Sequence, residues 1–277
     1  NSGTNWVRIQ TASSETIQSI CFTDALTGYL GAGQFSCLMY KTTNGGLNWA
    51  EQNLNLQYGP RSINFINALT GVAAHQSTDI LKTTNGGVNW AAIATSITYN
   101  AGVWMTSAAT IYAAGSTGIT RSTNGGINWV TQATISGDLL TISFTDSLNG
   151  LAAGRNSLML RTSNGGINWN PVTVSGMYDI YMVRYLNAAN VFACGQGGAI
   201  GKSTNGGLNW TVTYPAETYF NTLYSIHPLN SNDIYTSGSF GTICRSSNSG
   251  TTWGQLFAGI NNELYYSHFT DDNNGYA

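Results

Sequence analysis

One twelve-residue sequence recurs six times along the chain, at intervals of about 40 residues. The six copies are KTTNGGLNWAEQ, KTTNGGVNWAAI, RSTNGGINWVTQ, RTSNGGINWNPV, KSTNGGLNWTVT and RSSNSGTTWGQL. Their tryptophans, with one near the N-terminus, are 39 to 43 residues apart: Trp6, Trp49, Trp90, Trp129, Trp169, Trp210 and Trp253. A period of this length is typical of repeat proteins, in which each unit buries its faces against its neighbours.

Each repeat predicts four short β-strands. In the first strand apolar residues alternate, as Ile20 and Phe22 do, which is the period-two pattern of a strand. Residues 29–32 and 38–42 predict the second and third strands, and Asn-Gly then predicts a hairpin to the fourth, because both turn residues take positive φ. Four strands in about 40 residues are typical of a propeller blade. We therefore expect an all-β fold, with residues 1–277 forming a single β-propeller domain of four-stranded antiparallel blades.

Seven tryptophans predict a seven-bladed propeller whose seventh blade is shared between the two termini. The C-terminal FTDDNNGYA aligns with FTDALTGYL of the first repeat, and the N-terminal NSGTNW aligns with NGGLNW. The equivalent of residues 31–43 is missing, so this blade is incomplete. Two explanations stay open: the chain is part of a longer polypeptide that continues past Ala277, or another chain or domain donates the strand by β-augmentation.

We interpret the recurring hairpin as structural. Asparagine bonds to its own backbone two residues on and tolerates the left-handed conformation that the turn needs. Tryptophan can fill the gap between adjacent blades while its indole N–H finds a carbonyl. The residues assigned to this role are Asn44, Trp49, Asn85, Trp90, Asn124, Trp129, Asn164, Trp169, Asn205, Trp210 and Trp253.

Charged residues make up only 8% of the chain, and the net charge is −2. No basic stripe is present to neutralise phosphates, so nucleic acid is not expected as a partner. The sequence contains no run of 18 or more apolar residues, so no membrane-spanning segment is predicted. The four cysteines have no CxxC spacing, so we expect no metal site; we expect buried thiols, although Cys21 and Cys37 are close enough for a disulfide within one repeat.

The titratable residues do not form a recognisable catalytic set, so we expect no enzyme activity and no cofactor. One recurring turn explains three carboxylates, Asp24, Asp146 and Asp271. Four others precede first strands and could reach one rim of the central channel, where a hidden glycosidase pair stays an alternative: Glu15, Asp138, Asp179 and Glu217. The histidines are expected at different phases of the repeat, with His227 in a turn before Pro228.

The loops after the second strands, and the links between blades, vary most among the repeats and carry large side chains. Variable loops on a rigid scaffold are where proteins usually bind partners, and aromatic side chains with a few polar groups suit a peptide or glycan. We therefore predict a protein or surface glycan as the partner, with these candidate binding residues: Tyr58, Arg61, His75, Tyr99, Arg155, Tyr178, Tyr219, Phe220 and Phe240.

The hairpin sequence resembles the Asp-box, or BNR repeat, with Asn in place of Asp. In such families the motif is a structural hairpin on the face away from any active site. With the preceding F-x-D-x-x-x-G-Y/L pattern, the repeat resembles the propeller repeats of the photosystem II stability/assembly factors of plants and cyanobacteria, over essentially the whole chain. Similar repeats occur in secreted and surface proteins of gliding Gram-negative bacteria, often ahead of a type IX secretion sorting domain.

The charge-poor, Asn- and Thr-rich composition is more similar to the second group. The resemblance thus implies a non-catalytic protein- or glycan-binding or structural module of a secreted or cell-surface bacterial protein. An assembly or chaperone factor for a membrane complex is one alternative, and an Asp-box glycoside hydrolase is another. Asp146-Ser147-Leu148 also resembles the O-glycosylation acceptor of that bacterial group, which makes Ser147 a candidate site, with a plain turn as the alternative.

Overall fold

The computed structural model describes residues 6, 7, 9, 15–33, 38–54, 58–218, 220–257, 259–271 and 273–277. Within this part of the chain the regular structure is β-strand, apart from three single turns of 3-10 helix. The chain divides into two compact units. The N-terminal unit is Arg8–Asp138, and the C-terminal unit combines Asn1–Val7 with Leu139–Ala277.

The N-terminal unit contains twelve strands in its described residues. They form three four-stranded antiparallel sheets in which consecutive strands are neighbours, β1 to β4, β5 to β8 and β9 to β12. Their bounds are β1 (Ile17–Phe22), β2 (Gly28–Ala32), β3 (Leu38–Thr42), β4 (Ala50–Asn53), β5 (Ser62–Phe65), β6 (Gly71–Ala74), β7 (Asp79–Thr83), β8 (Ala91–Ala94), β9 (Gly102–Met105), β10 (Ile111–Gly115), β11 (Gly118–Ser122) and β12 (Val130–Thr134).

The C-terminal unit repeats this plan in three more four-stranded sheets, β13 to β16, β17 to β20 and β21 to β24, and adds the pair β25–β26. The bounds are β13 (Leu139–Phe144), β14 (Gly150–Gly154), β15 (Met159–Thr162), β16 (Asn170–Pro171), β17 (Ile180–Tyr185), β18 (Val191–Gly195), β19 (Ile200–Ser203), β20 (Thr211–Thr213), β21 (Leu223–Pro228), β22 (Ile234–Gly238), β23 (Thr242–Ser246), β24 (Gly254–Phe257), β25 (His268–Phe269) and β26 (Gly275–Tyr276). Single 3-10 turns lie at Gln196–Gly198, Ala216–Thr218 and Ser239–Gly241.

The all-β class and the four-stranded antiparallel blades are confirmed, but the expected number of blades, seven with the seventh incomplete, is corrected to six in the described residues. The described residues form six four-stranded sheets, not seven. In place of a seventh, β25 and β26 form a two-stranded sheet, because only these two strands follow β24 in the described residues. Trp6 packs edge-on against Phe269, with ring centroids 6.1 Å apart, but Trp6 itself does not belong to a strand.

A large residue at the end of the first strand faces a small residue at the start of the second. Phe144 pairs with Gly150, and a Cβ added to that glycine would lie 2.5 Å from the ring. The ring also meets the edge of Trp169 at 5.8 Å. The same Phe–Gly pairing holds at Phe22 with Gly28, Phe65 with Gly71, and Phe269 with Gly275. At these positions a side chain larger than that of glycine would clash with the phenylalanine ring.

The tryptophans of the hairpins pack where adjacent sheets of one unit meet. Trp90, in the second sheet, lies edge-on to Tyr29 of the first at 6.3 Å. Trp210 covers a cluster that joins the fourth and fifth sheets, and Trp253, 7% exposed, is buried between the fifth and sixth. A buried indole of this size removes 150–250 Å² from water, so each of these contacts is worth a few kcal/mol.

Cys194 and Cys244 are buried thiols of the apolar core, as expected. Burial raises the pKa of the Cys244 thiol to about 12 and that of Cys194 further still, so both stay protonated and inert. Cys37 lies outside the described residues.

Candidate functional site

The recurring hairpin closes on its own side chains and backbone. Thr162 shows the pattern: its Oγ1 accepts from the amides of Asn164 (3.3 Å) and Gly166 (2.9 Å), and its hydroxyl donates to Asn164 Oδ1. Asn164 Oδ1 in turn accepts from the amide of Asn168 at 3.0 Å. The other five hairpins repeat these bonds, with Ser in place of Thr at Ser122, Ser203 and Ser246. The hydrogen-bonding capacity of the motif is therefore used within the hairpin.

The Lys/Arg residue before four of the six hairpins bonds to the turn of the next sheet, a role that the sequence did not reveal. Within the N-terminal unit Lys41 donates to the carbonyl of Gly86, and Lys82 donates to that of Gly125. In the C-terminal unit Arg161 bonds Gly206 O at 2.8 Å, and Lys202 bonds Ser249 O at 2.6 Å. Arg245 instead pairs with Asp233 of its own sheet at 2.6 Å. These five cations therefore serve as structural ties.

The turn after the first strand lies at the same end of each sheet as the hairpin. Asp146 Oδ1 accepts the amides of Leu148 (2.7 Å) and Asn149 (2.8 Å), which confirms the predicted turn chemistry, also seen at Asp24 and Asp271. Ser147 is exposed in this turn, and its O-glycosylation stays a prediction. Gly165 N bonds Leu148 O at 2.9 Å and so ties the turn to the hairpin.

The blade links and the loops after the second strands lie at the opposite end of the strands. In the C-terminal unit main-chain hydrogen bonds join these segments in alternation. Gln196 N bonds Asp179 O at 3.0 Å, Ser239 N bonds Thr222 O at 2.9 Å, and Gly241 N bonds Asn262 O at 2.7 Å. The loops therefore present their side chains from a hydrogen-bonded framework.

Four of the predicted binding residues project strongly into solvent. Tyr178, Phe220 and Phe240, all in the C-terminal unit, are 62%, 79% and 68% exposed, and Tyr99 in the N-terminal unit is 56% exposed. Large aromatic rings seldom stay this exposed without a binding role. We call Tyr178, Phe220 and Phe240 the aromatic rim.

Two rim residues adopt the left-handed conformation, which bulky side chains rarely do. Phe220 has φ 66° and Phe240 has φ 55°. At the equivalent loop position of the preceding sheet the residue is Gly197, with φ 69°. Phe240 thus keeps a conformation suited to glycine while its ring stays in water. Strain of this kind often occurs at functional positions.

The other predicted binding residues differ in their surroundings. His75 is 2% exposed, with Nε2 3.2 Å from Asp79 Oδ1, so the prediction that it contacts a partner is corrected. Burial lowers the pKa of this imidazole. Arg155 Nη1 lies 3.4 Å from Asp179 Oδ2, next to the aromatic rim. Tyr58 and Arg61 are half-buried in the N-terminal unit. Tyr219 lies outside the described residues.

Sequence reasoning missed a row of three tyrosines next to the rim. Tyr181 and Tyr224 are 5.2 Å apart and meet edge-on, and Tyr224 and Tyr265 are 4.7 Å apart. Tyr181 and Tyr224 lie at bulges where the first strand slips its register with the second. Burial, then a hydrogen bond with Glu263, raises the pKa of Tyr224, so its phenol stays protonated. We call these three residues the tyrosine row.

Three residues further along the same segments lie Arg184, His227 and His268, which we call the His–Arg row. The expectation that the histidines fall at different phases is wrong for His227 and His268. Their rings are 5.1 Å apart, and His227 belongs to β21 rather than to a turn. The 41-residue spacing of the two histidines matches the repeat length and could have revealed the row.

No group of three or more His, Cys, Asp or Glu side chains among the described residues is arranged to hold a metal ion. No helix in that part of the chain has the length and apolar character needed to cross a bilayer.

Together the described sheets and their solved structural neighbours define an all-β propeller of four-stranded antiparallel blades with BNR-like repeats. The family model described as photosynthesis system II assembly factor YCF48 matches residues 129–259, which include every residue of the rim. Comparison with curated proteins gives no significant match.

Solved structures match nearly the whole chain. One described as YCF48 bound to D1 peptide is 20% identical with a TM-score of 0.81, over 98% of this chain and 90% of its own. YCF48 from Cyanidioschyzon merolae is 19% identical with a TM-score of 0.76, over 96% and 93%. A GH74 enzyme of Niastella koreensis is 16% identical with a TM-score of 0.66, over 91% of this chain but 40% of its own. At these identities the similarity establishes the fold.

Proposed function

We propose that this protein is a non-catalytic propeller that binds an extended segment of a protein partner on its aromatic rim, in the manner of an assembly factor for a membrane complex. The observation that carries the proposal is the conformation of Phe240, which is strained and whose ring projects into solvent. Such a ring contributes nothing to the fold that a glycine would not. A contact between the Phe240 ring and a binding partner, which the isolated chain does not make, explains why phenylalanine occupies this position.

The surroundings of the rim suit a peptide. Exposed rings on a hydrogen-bonded framework lose little side-chain entropy on binding, and aromatic residues dominate the binding energy of most interfaces. The tyrosine row extends the aromatic surface, and the exposed Glu263 adds an acceptor for backbone amides. A structural neighbour in complex with a D1 peptide supports a peptide as the occupant.

The comparisons favour the assembly-factor alternative over the secreted module that the composition suggested. The family-model match covers the sheets that carry the rim, and the two YCF48 structures match almost the full chain. A secreted or cell-surface location remains a separate proposal, based on the 8% charge content, and fractionation of the source cells would test it.

A peptide-display library and a labelled D1 peptide, each measured by fluorescence anisotropy, test the proposal. We expect the native chain to select peptides, and we expect Phe240→Gly and Tyr178→Ser each to weaken binding about tenfold or more. Phe240→Gly should also stabilise the fold by about 1 kcal/mol, because it relieves the left-handed strain. This combination separates a binding residue from a structural one.

A control triple replaces three equally exposed apolar residues at the hairpin end of the same unit, Leu148, Ile167 and Leu208, by Ala. It should bind as the native chain does. If the control loses affinity while the rim variants keep it, or if no peptide is selected, the proposal fails. Selection of glycans instead, on an array probed in parallel, would identify the alternative class of partner.

We also propose that Trp6 and the pair β25–β26 belong to a seventh blade. Trp6 meets Phe269 at 6.1 Å and 86°, much as Trp49 meets Phe22 (6.0 Å, 79°) and Trp169 meets Phe144 within complete sheets. Trp6→Ala should lower the melting temperature about as much as Trp169→Ala does. A neutral effect would show that the contact is incidental.

A further inference from the structure

The His–Arg row occupies one register position on neighbouring segments of the C-terminal unit. Arg184 pairs with Phe192, His227 with Tyr235 and His268 with Tyr276, each in the second strand of its own sheet. On the adjacent first strand β13 the same position is Ser143, which pairs with Leu151. Since β13 packs beside β17 and β17 beside β21, these four side chains follow one another across the unit.

The groups of this row are close together and polar. His227 and His268 are 5.1 Å apart, and the Arg184 guanidinium reaches past β21 to donate to the Tyr266 hydroxyl at 2.6 Å. Ser143 is 1% exposed, and its hydroxyl has no hydrogen-bond partner among the described residues. His227 and His268 are both half-buried residues.

The electrostatics of the row are positive. Burial, followed by the neighbouring His268 and Arg184, lowers the pKa of His227 to about 3. Burial and Arg184 likewise lower the pKa of His268 to about 4. The charged groups that act on both imidazoles are thus cationic, and an added anion would relieve their repulsion.

We propose that the His–Arg row, with Ser143 at its edge, is a binding site for an oxyanion, either a carboxylate or a phosphate group. A guanidinium presents paired N–H donors that match either group. Each imidazole adds one N–H when neutral and two when protonated. The row lies three residues from the tyrosine row, about 10 Å along a strand. A partner segment on the rim could therefore place an acidic group here, although the site does not depend on the rim.

The chain has three histidines, which makes the test direct. Imidazole NMR signals are followed against pH in chloride, in inorganic phosphate and in acetate. Phosphate or acetate should raise the pKa of His227 and His268. His75 is the internal control: it is also buried, but it faces the carboxylate of Asp79, so its pKa should not rise.

Arg184→Gln removes the strongest hydrogen-bond donor of the row. It should lower the affinity for the anion at least tenfold, the loss expected for one charge-assisted hydrogen bond. Ser143→Ala, which should keep the fold, should weaken it less. Stronger binding of acetate would assign the site to a carboxylate, and stronger binding of phosphate would assign it to a phosphoryl group. The proposal is overturned if His75 shifts as much as the other two, if Arg184→Gln binds as tightly as the native chain, or if neither anion binds at 100 mM, roughly the weakest affinity that one such contact supports.

Discussion

Replacing Thr162 by Val tests the claim that the hairpins are structural units closed by a single hydroxyl. Thr162 is fully buried, and its Oγ1 accepts the buried amide of Gly166 at 2.9 Å and the amide of Asn164 at 3.3 Å. Valine has nearly the same shape but cannot accept a hydrogen bond. The substitution therefore removes hydrogen bonds with little change in packing.

The magnitude follows from the amides left without an acceptor. Leaving the buried Gly166 amide without an acceptor costs about 1–3 kcal/mol. Loss of the longer bond from the Asn164 amide adds a smaller cost. We therefore expect the free energy of unfolding to fall by about 2–3 kcal/mol, which lowers the melting temperature by about 4–8 °C in a chain of this size. Thermal and urea unfolding measure both quantities, and amide hydrogen exchange at Gly166 should accelerate.

Two controls isolate the hydroxyl. Thr162→Ser keeps the acceptor, and the chain itself uses Ser at Ser122, Ser203 and Ser246 with the same bonds, so this variant should lose little. Ser163→Ala removes an exposed hydroxyl of the same hairpin and should change stability by less than about 0.5 kcal/mol. If Thr162→Val has the same melting temperature and free energy of unfolding as Thr162→Ser, the hydrogen-bond explanation is refuted.

Two further predictions concern packing and pH. Gly150→Ala should destabilise the fold by about 1–3 kcal/mol in urea unfolding, because its Cβ would lie 2.5 Å from Phe144; adding Phe144→Met should restore part of the loss, as Met105 faces Ile111 in the third sheet. The imidazoles of the His–Arg row have their pKa lowered from 6.5 to about 3 and about 4, so the unfolded chain binds more protons between pH 6.5 and about 4. Their contribution to stability is complete above pH 6.5 and is lost as pH falls through that window, by roughly 3 kcal/mol for each imidazole, and His227→Gln should reduce the slope.

The fold class could be predicted because one residue pattern serves one purpose in every repeat. The two residues after the asparagine, Gly165 and Gly166 in the fourth sheet, supply the positive φ of the hairpin, whereas the asparagine was expected to take it. A Phe at the end of a first strand faces a Gly six positions further on, as at Phe144 and Gly150. Both constraints are local, and the hairpin one recurs in every repeat. The number of blades was overestimated because a tryptophan, such as Trp6, marks a fourth strand only when its neighbouring strands are also present.

The candidate site could be predicted only in part, because exposure depends on contacts that the sequence does not show. Tyr178, Phe220 and Phe240 were identified from loop position alone and do project into solvent. His75 has the same kind of loop position but is drawn inward by Asp79 four residues later. The tyrosine row was missed because the bulge at Tyr181 shifts it out of the strict alternation that was used to find the first strands.

The two ends of the strands differ in what holds their loops together, and this difference explains where function can vary. At the hairpin end, the bonds are made by side chains such as Thr162 and Asn164, so a change of residue removes a bond and the sequence is kept nearly constant from repeat to repeat. At the rim, side chains such as Ser157 also contribute, but each pair of loops is joined by main-chain bonds as well, as between Gln196 and Asp179, which do not depend on the side chain. Side chains there are therefore free to vary without loss of the framework. The same scaffold can thus carry a strained aromatic residue in one loop, at Phe240, and a glycine in the equivalent loop of the preceding sheet, at Gly197.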